Sequence, residues 1–390
     1  MERDFDKVID RRGTNSAKYD FAAENGKPED VLPLWVADMD FQAPHAVTEK
    51  LEEISRFGIF GYSSGTEEYF AAVHDWYLER FGWDIQKDWM LNTPGVVFAV
   101  AMAVKGLTEP GDGVLIQQPV YYPFKRVITD NGRIAVNSPL VLKNGRYEMD
   151  LEDFENKLRN ENVKLFILCS PHNPVGRVWT EEELRAVGEL CLKYNVLVLS
   201  DEIHCDFVYE GNRHHVFADL DERFADITVT CTAPSKTFNI AGLQVSNIFA
   251  SNYEVRKRVY REIRNTGYGG LSIMGIAACQ AAYEGGSTWL EELKVYLKGN
   301  LDYLRTFLNE RIPQIKLIEP EGTYLIWLDM RELGLTPEEQ DRLMVEDAKL
   351  WLDTGTMFGE EGAGFERINI ACPRATLEEA LLRLENAVVK

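Results

Sequence analysis

Largely apolar runs alternate with amphipathic stretches through the middle of the chain. The runs at 163–169, 196–199 and 227–231 are typical of buried strands, and polar or turn-forming residues follow each of them. The spacing of apolar residues predicts helices over 66–81, 95–107, 150–160, 181–194, 253–265, 272–284, 287–311, 337–353 and 376–389. Because strands and helices alternate between residues 90 and 250, we predict an α/β fold with a mostly parallel sheet.

Three of the predicted helices are preceded by a threonine with a glutamate three residues later. The pairs are Thr180 with Glu183, Thr336 with Glu339, and Thr376 with Glu379. Each pair can satisfy two otherwise free backbone amides reciprocally, so each threonine is a predicted N-cap.

The order of elements changes after residue 285. A long helix, two short strands and two further helices around residues 367–370 follow there, which is typical of a smaller α+β unit. We therefore predict a large domain over 50–285 and a small domain built from 1–49 and 286–390.

Each of the three apolar runs ends close to a polar residue that could carry chemistry. Asn173 follows the first run, Asp201 the second and Lys236 the third. Ligands of α/β folds bind at the carboxyl ends of the strands, so these side chains should converge. A lysine that can link covalently to an aldehyde and an acid that can partner a pyridine nitrogen suit pyridoxal phosphate particularly well.

Composition and charge exclude several classes of partner. The net charge of −21 argues against nucleic acid and anionic membranes, because phosphate groups would be repelled. The longest apolar run, 96–104, stops at Lys105 and is far too short to span a bilayer. These patterns predict a protein that binds neither nucleic acid nor membrane.

The cysteines indicate the cellular compartment. The chain has 6 of them, mostly inside apolar runs and without paired spacing. This is typical of reduced core residues, so we predict a cytoplasmic protein without disulfide bonds.

Residues 95–97 form a candidate anion site. Gly95, Val96 and Val97 open a predicted apolar helix after Pro94, so their backbone amides and the positive end of the helix dipole can bind a phosphate. The hydroxyl group of Ser235, beside Lys236, would add a donor. A helix start with nothing bound is the alternative interpretation.

A metal site was weighed against this interpretation. Six potential ligands fall within fifteen residues of one another: Asp201, His204, Cys205, Asp206, His214 and His215. The first four are not at a ligand spacing used by known metal sites, and the last two belong to a predicted loop. We therefore predict no metal.

The motifs together resemble a known family. Ser-Pro-His-Asn-Pro-Val-Gly (170–176), Ser-Asp-Glu-Ile-His (200–204), Ser-Lys-Thr-Phe-Asn (235–239) and Arg-Ile-Asn-Ile (367–370) occur in the order of the fold-type I, class I/II aminotransferases. Further blocks at 34–41, 69–77, 93–97 and 233–244 resemble the MalY/PatB group of cystathionine β-lyases within that fold. The resemblance covers nearly the whole chain and implies a pyridoxal phosphate enzyme.

The resemblance implies a role for each strand-end residue. Lys236 would hold the cofactor covalently and then act as the general base at Cα. Asp201 would keep the pyridine nitrogen protonated, and Asn173 would donate a hydrogen bond to the ring 3-oxygen. Tyr121 would stack on the pyridine face as a third catalytic residue, although plain packing is an equally good interpretation.

Two positions depart from the family pattern. Gln244 stands where many aminotransferases place an arginine against the phosphate, and His204 stands where a tyrosine is frequent. We keep His204 as a cofactor-binding candidate.

The substrate carboxylate needs a cation. Arg367 lies at the resembling position, and an arginine suits a two-pronged carboxylate contact. Arg374 is close in sequence and could share or replace that role, and the backbone amide of Ala37 would give a second contact.

The glycine-rich aromatic loop at 57–65 suggests assembly. Exposure of its apolar side chains to water would be unfavourable. In the family that the chain resembles, the tyrosine corresponding to Tyr62 reaches the cofactor phosphate of the neighbouring subunit. We predict a two-fold homodimer with both active sites at the interface, against the alternative that Tyr62 packs within its own chain.

These observations predict a pyridoxal-phosphate-dependent C–S β-lyase. The expected reaction is α,β-elimination of L-cystathionine or a related cysteine thioether, a small amino-acid substrate, to a thiol, pyruvate and ammonia. An aminotransferase is the second hypothesis, because it would use the same lysine and electron sink. A regulatory protein that binds a transcription factor is the third, by family analogy alone.

Overall fold

Strands and helices alternate through the large sheet as the apolar pattern predicts. The computed structural model describes residues 3–389 of the 390-residue chain. The strands are β1 Leu32–Pro33, β2 Met90–Thr93, β3 Gly113–Ile116, β4 Ile134–Asn137, β5 Val141–Lys143, β6 Arg146–Glu148, β7 Val163–Cys169, β8 Leu197–Asp201, β9 Thr228–Thr232, β10 Ser246–Phe249, β11 Lys316–Leu317, β12 Leu325–Asp329, β13 Leu350–Trp351, β14 Asp353–Thr354 and β15 Phe365–Asn369. The α-helices are α1 His45–Phe57, α2 Glu67–Phe81, α3 Val96–Leu107, α4 Pro123–Asp130, α5 Leu151–Asn160, α6 Glu181–Tyr194, α7 Glu222–Asp226, α8 Pro234–Thr237, α9 Tyr253–Asn265, α10 Ile273–Gly285, α11 Ser287–Arg311, α12 Pro337–Arg342 and α13 Arg374–Val388.

The central sheet has seven strands in the order β2-β10-β9-β8-β7-β3-β4. Its pairs are parallel except those of β10, which runs antiparallel to both β2 and β9. Helices cover both faces, because α3, α4 and α9 pack in one hydrophobic cluster and α5 and α6 in another. Within β7, Leu165 and Ile167 face the first cluster, whereas Phe166 and Leu168 face the second. The predicted mostly parallel α/β sheet is confirmed.

A second sheet of four strands lies later in the chain. Its order is β11-β12-β15-β14, and its pairs are antiparallel. The beginning of the described chain returns to this region, because β1 pairs in parallel with β13. That pairing supports our proposal of a small domain formed by 1–49 and 286–390 beside a large domain over 50–285.

The predicted helix over 337–353 is wrong in its second half. Helix α12 ends at Arg342, a π-helical turn follows over Leu343–Asp347, and β13 begins at Leu350. Lys349 has a left-handed backbone (φ 54°), which ends the helical path just before β13 pairs with β1. The prediction omits α1, α4 and the short α7 and α8. The apolar residues of α1 and α4 do recur at helical spacing, at Val47, Leu51 and Ile54 and at Phe124, Val127 and Ile128.

The predicted helix starts are confirmed twice and wrong once. Thr180 and Thr336 each form a complete capping box. Helix α13 instead begins at Arg374, with Pro373 before it, so Thr376 already lies inside the first turn. Proline fixes a backbone angle that suits entry into a helix, and this moves the start upstream.

Two features of residues 3–389 bear on possible partners. None of the helices there combines the length and the apolar character that crossing a membrane requires. Within the same residues, no group of three or more His, Cys, Asp and Glu side chains is arranged to hold a metal ion.

Candidate active site

Three strands of the central sheet deliver polar side chains to one cavity of about 340 Å³. Asn173 follows β7, Asp201 ends β8, and Lys236 lies in the short helix α8 just after β9. The strands are parallel neighbours, so their carboxyl ends meet at one edge of the sheet. Of the predicted site residues, those lining the cavity are Ala37, Gly95, Val96, Val97, Tyr121, Asn173, Asp201, His204, Ser235 and Lys236.

The amine of Lys236 is buried and held in place. Its Nζ donates a hydrogen bond to the backbone oxygen of Ala37 at 2.8 Å. Burial lowers the pKa of Lys236 to about 8, and the positive charge of Arg367 acts in the same direction. About one tenth of this amine is therefore neutral at pH 7 and able to act as a nucleophile or base.

Asp201 is a buried carboxyl group at the cavity wall. Its Oδ1 accepts a hydrogen bond from the backbone amide of Ile203 at 3.2 Å. Burial raises the pKa of Asp201 to about 7, while that hydrogen bond and the charge of Lys236 oppose the rise. A cationic ring nitrogen placed against this carboxyl group would relieve the cost of burying its negative charge.

The amino end of α3 forms the opposite wall. Gly95 occupies the N-cap position, and the backbone amide of Ala99 is the donor that bonds back to its oxygen. The first amides of the helix have no intrahelical acceptor, so they and the helix dipole favour an anion. Ser235 and Gln244 line the same cavity, and a neutral glutamine leaves this wall without an added cation.

Tyr121 and His204 complete the polar part of the wall. The backbone amide of Tyr121 donates to the oxygen of Asn173 at 3.0 Å, and burial raises the pKa of its hydroxyl group. Burial lowers the pKa of His204 to about 3, with the charges of Lys236 and Arg367 acting the same way. The imidazole is therefore neutral, and its buried Nδ1 has no partner among residues 3–389.

Sequence reasoning missed two asparagines that hold the segment carrying Ala37. Asn239 donates to the oxygens of Met39 and Phe41 and accepts from the amide of Met39. Asn369 donates to the oxygens of Val36 and Asp38, at 2.7 and 2.6 Å. Both asparagines belong to motifs that signalled the site, at 235–239 and 367–370, yet nothing in those motifs indicated their partners.

Arg367 lies beside the cavity and does not line it. This β15 residue is buried, and its Nη1 donates to Asn173 Oδ1 at 2.9 Å. Its Nη2 donates to the backbone oxygen of Trp35 at 2.8 Å and to the Asp353 carboxylate. Asn173, which does line the cavity, therefore links the guanidinium to the cavity wall.

Arg374 is not brought to the cavity. It begins α13, where its Nε donates to Asn300 Oδ1 at 2.8 Å and its guanidinium lies 4.8 Å from the ring centre of Tyr303. The arrangement favours Arg367 over Arg374 as the substrate cation.

Tyr62 also lies outside the cavity of its own chain. Its side chain is fully exposed, and Phe57, Ile59 and Phe60 in the same loop are each at least 60% exposed. Tyr62 is therefore not packed within its own core, which was the alternative interpretation.

Comparisons with known proteins agree with this geometry. The family model for aminotransferase class I and II matches residues 29–384. Cystathionine beta-lyase PatB of Bacillus subtilis is 45% identical over 384 residues, which cover 98% of this chain and 99% of that protein.

Solved structures are similar over the same length. Cystalysin from Treponema denticola, whose crystal structure contains pyridoxal 5'-phosphate, has a TM-score of 0.96 at 40% identity and covers 100% of this chain and 99% of its own. A PLP-bound C-S lyase from Staphylococcus hominis has a TM-score of 0.92 at 34% identity, with 100% and 99% covered. The predicted resemblance and fold are confirmed.

Proposed function

The chain belongs to the aminotransferase class I and II family, and on that premise we propose that it is a pyridoxal-phosphate-dependent carbon–sulfur lyase. Its substrate would be L-cystathionine or a related cysteine thioether, cleaved to homocysteine or another thiol, pyruvate and ammonia. The single observation that carries the proposal is the meeting of Lys236, Asp201 and Asn173 in one cavity. The names of the similar proteins, a cystathionine beta-lyase and a C-S lyase, favour elimination over amino-group transfer.

The residues of the cavity fit the cofactor. The open amides at the start of α3 and the Ser235 hydroxyl group suit its phosphate, and the buried Asp201 carboxyl group suits its ring nitrogen. Asn173 would bind the ring 3-oxygen, and Tyr121 would cover the ring face. Bound there, the cofactor supplies an electron sink for the negative charge that develops at Cα of the substrate.

Lys236 performs the proton transfer in this proposal. Its Nζ would take the proton from Cα of the bound substrate. The pKa of about 8 leaves part of that amine neutral at physiological pH. Breakage of the Cβ–S bond then releases the thiolate, and hydrolysis of the remaining three-carbon fragment yields pyruvate and ammonia.

Arg367 and Ala37 would bind the substrate carboxylate. The backbone of Ala37 lies at the cavity, and its segment is fixed by hydrogen bonds from both asparagines. Arg367 lies just behind Asn173 and retains a donor, Nε, without a partner within residues 3–389. A carboxylate would satisfy that donor.

We further propose a two-fold dimer with Tyr62 completing the site of the partner subunit. The exposed aromatic and aliphatic side chains at 57–62 support this, because a contiguous apolar surface in water marks an interaction site. We also propose a cytoplasmic location, which the 6 free and buried cysteines support.

The proposed function is tested by supplying the protein with L-cystathionine and no keto acid. We expect pyruvate and free thiol to accumulate continuously and in equal amounts. A Lys236→Ala variant is the control, and it should give neither product. Transfer of the amino group to an added keto acid, with no thiol released, would favour the aminotransferase hypothesis instead.

A further inference from the structure

The carboxylate of Asp353 forms an ion pair with Arg367, the residue proposed to bind the substrate carboxylate. Asp353 on β14 lies opposite Arg367 on β15, and the two side chains form an ion pair in which each is only 2% exposed. Burial raises the pKa of Asp353, and the Arg367 charge opposes that rise. The guanidinium is therefore already paired with a negative charge of the protein itself.

The remaining contacts fix the position of the guanidinium beside the cavity wall. Nη1 is bound to Asn173 and Nη2 to the backbone oxygen of Trp35, and the guanidinium lies 4.9 Å from the ring centre of Phe358. Nε is buried without a partner in the described part of the chain. A buried charged donor without an acceptor is costly, so Nε remains able to bind a further acceptor.

We propose that Asp353 competes with the substrate α-carboxylate for Arg367 and so sets the affinity of the enzyme for α-amino acids. This inference rests on the proposed function. Two carboxylates that share one guanidinium in a buried site repel each other, and each weakens the hold of the cation on the other. Asp353 thus acts through Arg367 as a positioning residue.

Replacement of Asp353 by asparagine removes the negative charge but keeps the size of the side chain and an acceptor oxygen. The amide oxygen of Asp353→Asn can still accept from Nη2, so the guanidinium keeps its place while the competing charge is lost. We expect affinity for an α-amino acid to rise about tenfold, which corresponds to about 1.4 kcal/mol. An Asp353→Ala variant removes the charge without the amide and should change affinity in the same direction.

Glu366, on the same strand as Arg367, supplies a control for the loss of a nearby buried carboxyl group. It is also 2% exposed, but its Oε1 accepts from Gln340 Nε2 at 2.8 Å, and its side chain forms no hydrogen bond or ion pair with the Arg367 side chain. A Glu366→Gln variant therefore removes a neighbouring buried carboxyl group without changing the pairing of the arginine. Its affinity for α-amino acids should equal that of the wild type.

The experiment titrates the cofactor-loaded proteins with L-alanine and follows the visible absorption of the cofactor. L-alanine has the amine and the carboxylate but no leaving group, so its dissociation constant does not depend on whether the enzyme eliminates a thiol. L-alaninamide lacks the carboxylate, and its affinity should not rise in Asp353→Asn. With cystathionine, KM should fall in the variant and kcat should change little.

Each outcome decides the matter. Tighter binding of L-alanine but not of L-alaninamide, absent from Glu366→Gln, supports competition. Unchanged or weaker binding of L-alanine in both Asp353 variants overturns it and makes Asp353 a support for Arg367. A wild-type protein with a normal visible band that releases no thiol would sink the lyase proposal alone. A protein that binds no cofactor would overturn both.

Discussion

Lys236 should attack an aldehyde near neutral pH far faster than an ordinary lysine. Its pKa falls from 10.5 to about 8, mainly through burial and secondarily through the charge of Arg367. Only the neutral amine is a nucleophile, and at pH 7 a pKa lower by 2.5 means about 300 times more of it. The rate of covalent attachment should therefore rise with pH to about 8 and then level off. An Arg367→Gln variant should level off at a higher pH.

The assay mixes protein stripped of cofactor with excess pyridoxal phosphate at pH 6 to 10. Growth of the visible band gives the rate, and borohydride reduction followed by peptide mapping confirms attachment at Lys236. A small blocked lysine, reacted in parallel, corrects for the titration of the aldehyde and phosphate. The ratio of the two rates should be largest below pH 8 and shrink above it. A ratio that stays constant to pH 9.5 would refute the reasoning, because Lys236 would then titrate as an exposed lysine does.

Four other changes have defined outcomes. Asp201→Asn should keep the visible band but lower cystathionine turnover by about 100-fold or more, since an amide cannot hold the proton on the ring nitrogen; near-normal turnover would leave Asp201 a structural role only. Asn369→Ala should cost about 3 kcal/mol in urea unfolding, because two backbone oxygens lose their donor; an unchanged midpoint would mean that water replaces the side chain. Burial raises the pKa of Glu366 to about 8, so the folded state keeps a proton that the unfolded chain releases. The contribution of Glu366 to stability should decline from about pH 4.5 to 8, so Glu366→Gln should match the wild type at pH 4 and exceed it at pH 9 in urea titrations; parallel curves would contradict this. Lys236→Ala and Tyr62→Phe chains, each nearly inactive alone, should recover about one quarter of wild-type activity when mixed, because a heterodimer has one intact site; subunit exchange without recovery would place Tyr62 outside the partner's site.

The convergence of Asn173, Asp201 and Lys236 could be predicted because it depends on local pattern and a general rule. Each apolar run identified a buried strand, and parallel strands end at the same edge of a sheet. The start of α3 was predictable for a similar reason, since a glycine before an apolar helix exposes the first amides. These inferences need no knowledge of which distant residues touch.

The contacts that could not be predicted join segments far apart in the chain. Asp353 meets Arg367 only because β14 pairs with β15 in one register, and β13 exists only because β1 lies beside it. The sequence around 337–353 has helical spacing, so local preference gave a helix where tertiary pairing forms a strand. Arg374 was a candidate because it is near Arg367 in sequence, but β15 ends at Asn369 and helix α13 begins at Arg374, which places its side chain against Asn300.

The segment that carries Ala37 fixes the distance between the proposed amine-binding and carboxylate-binding residues. Asn239, three residues after Lys236, donates a hydrogen bond to the backbone of this segment. Asn369, two residues after Arg367, does the same. The elements that carry Lys236 and Arg367 are thus both fixed to one short stretch of backbone. An amino acid with one extra carbon between its amino group and its carboxylate would have to lengthen the hydrogen bonds of both Asn239 and Asn369. If the proposed contacts hold, we expect the site to prefer α-amino acids, and any attempt to graft this site onto another protein must move residues 36–41, Asn239 and Asn369 together.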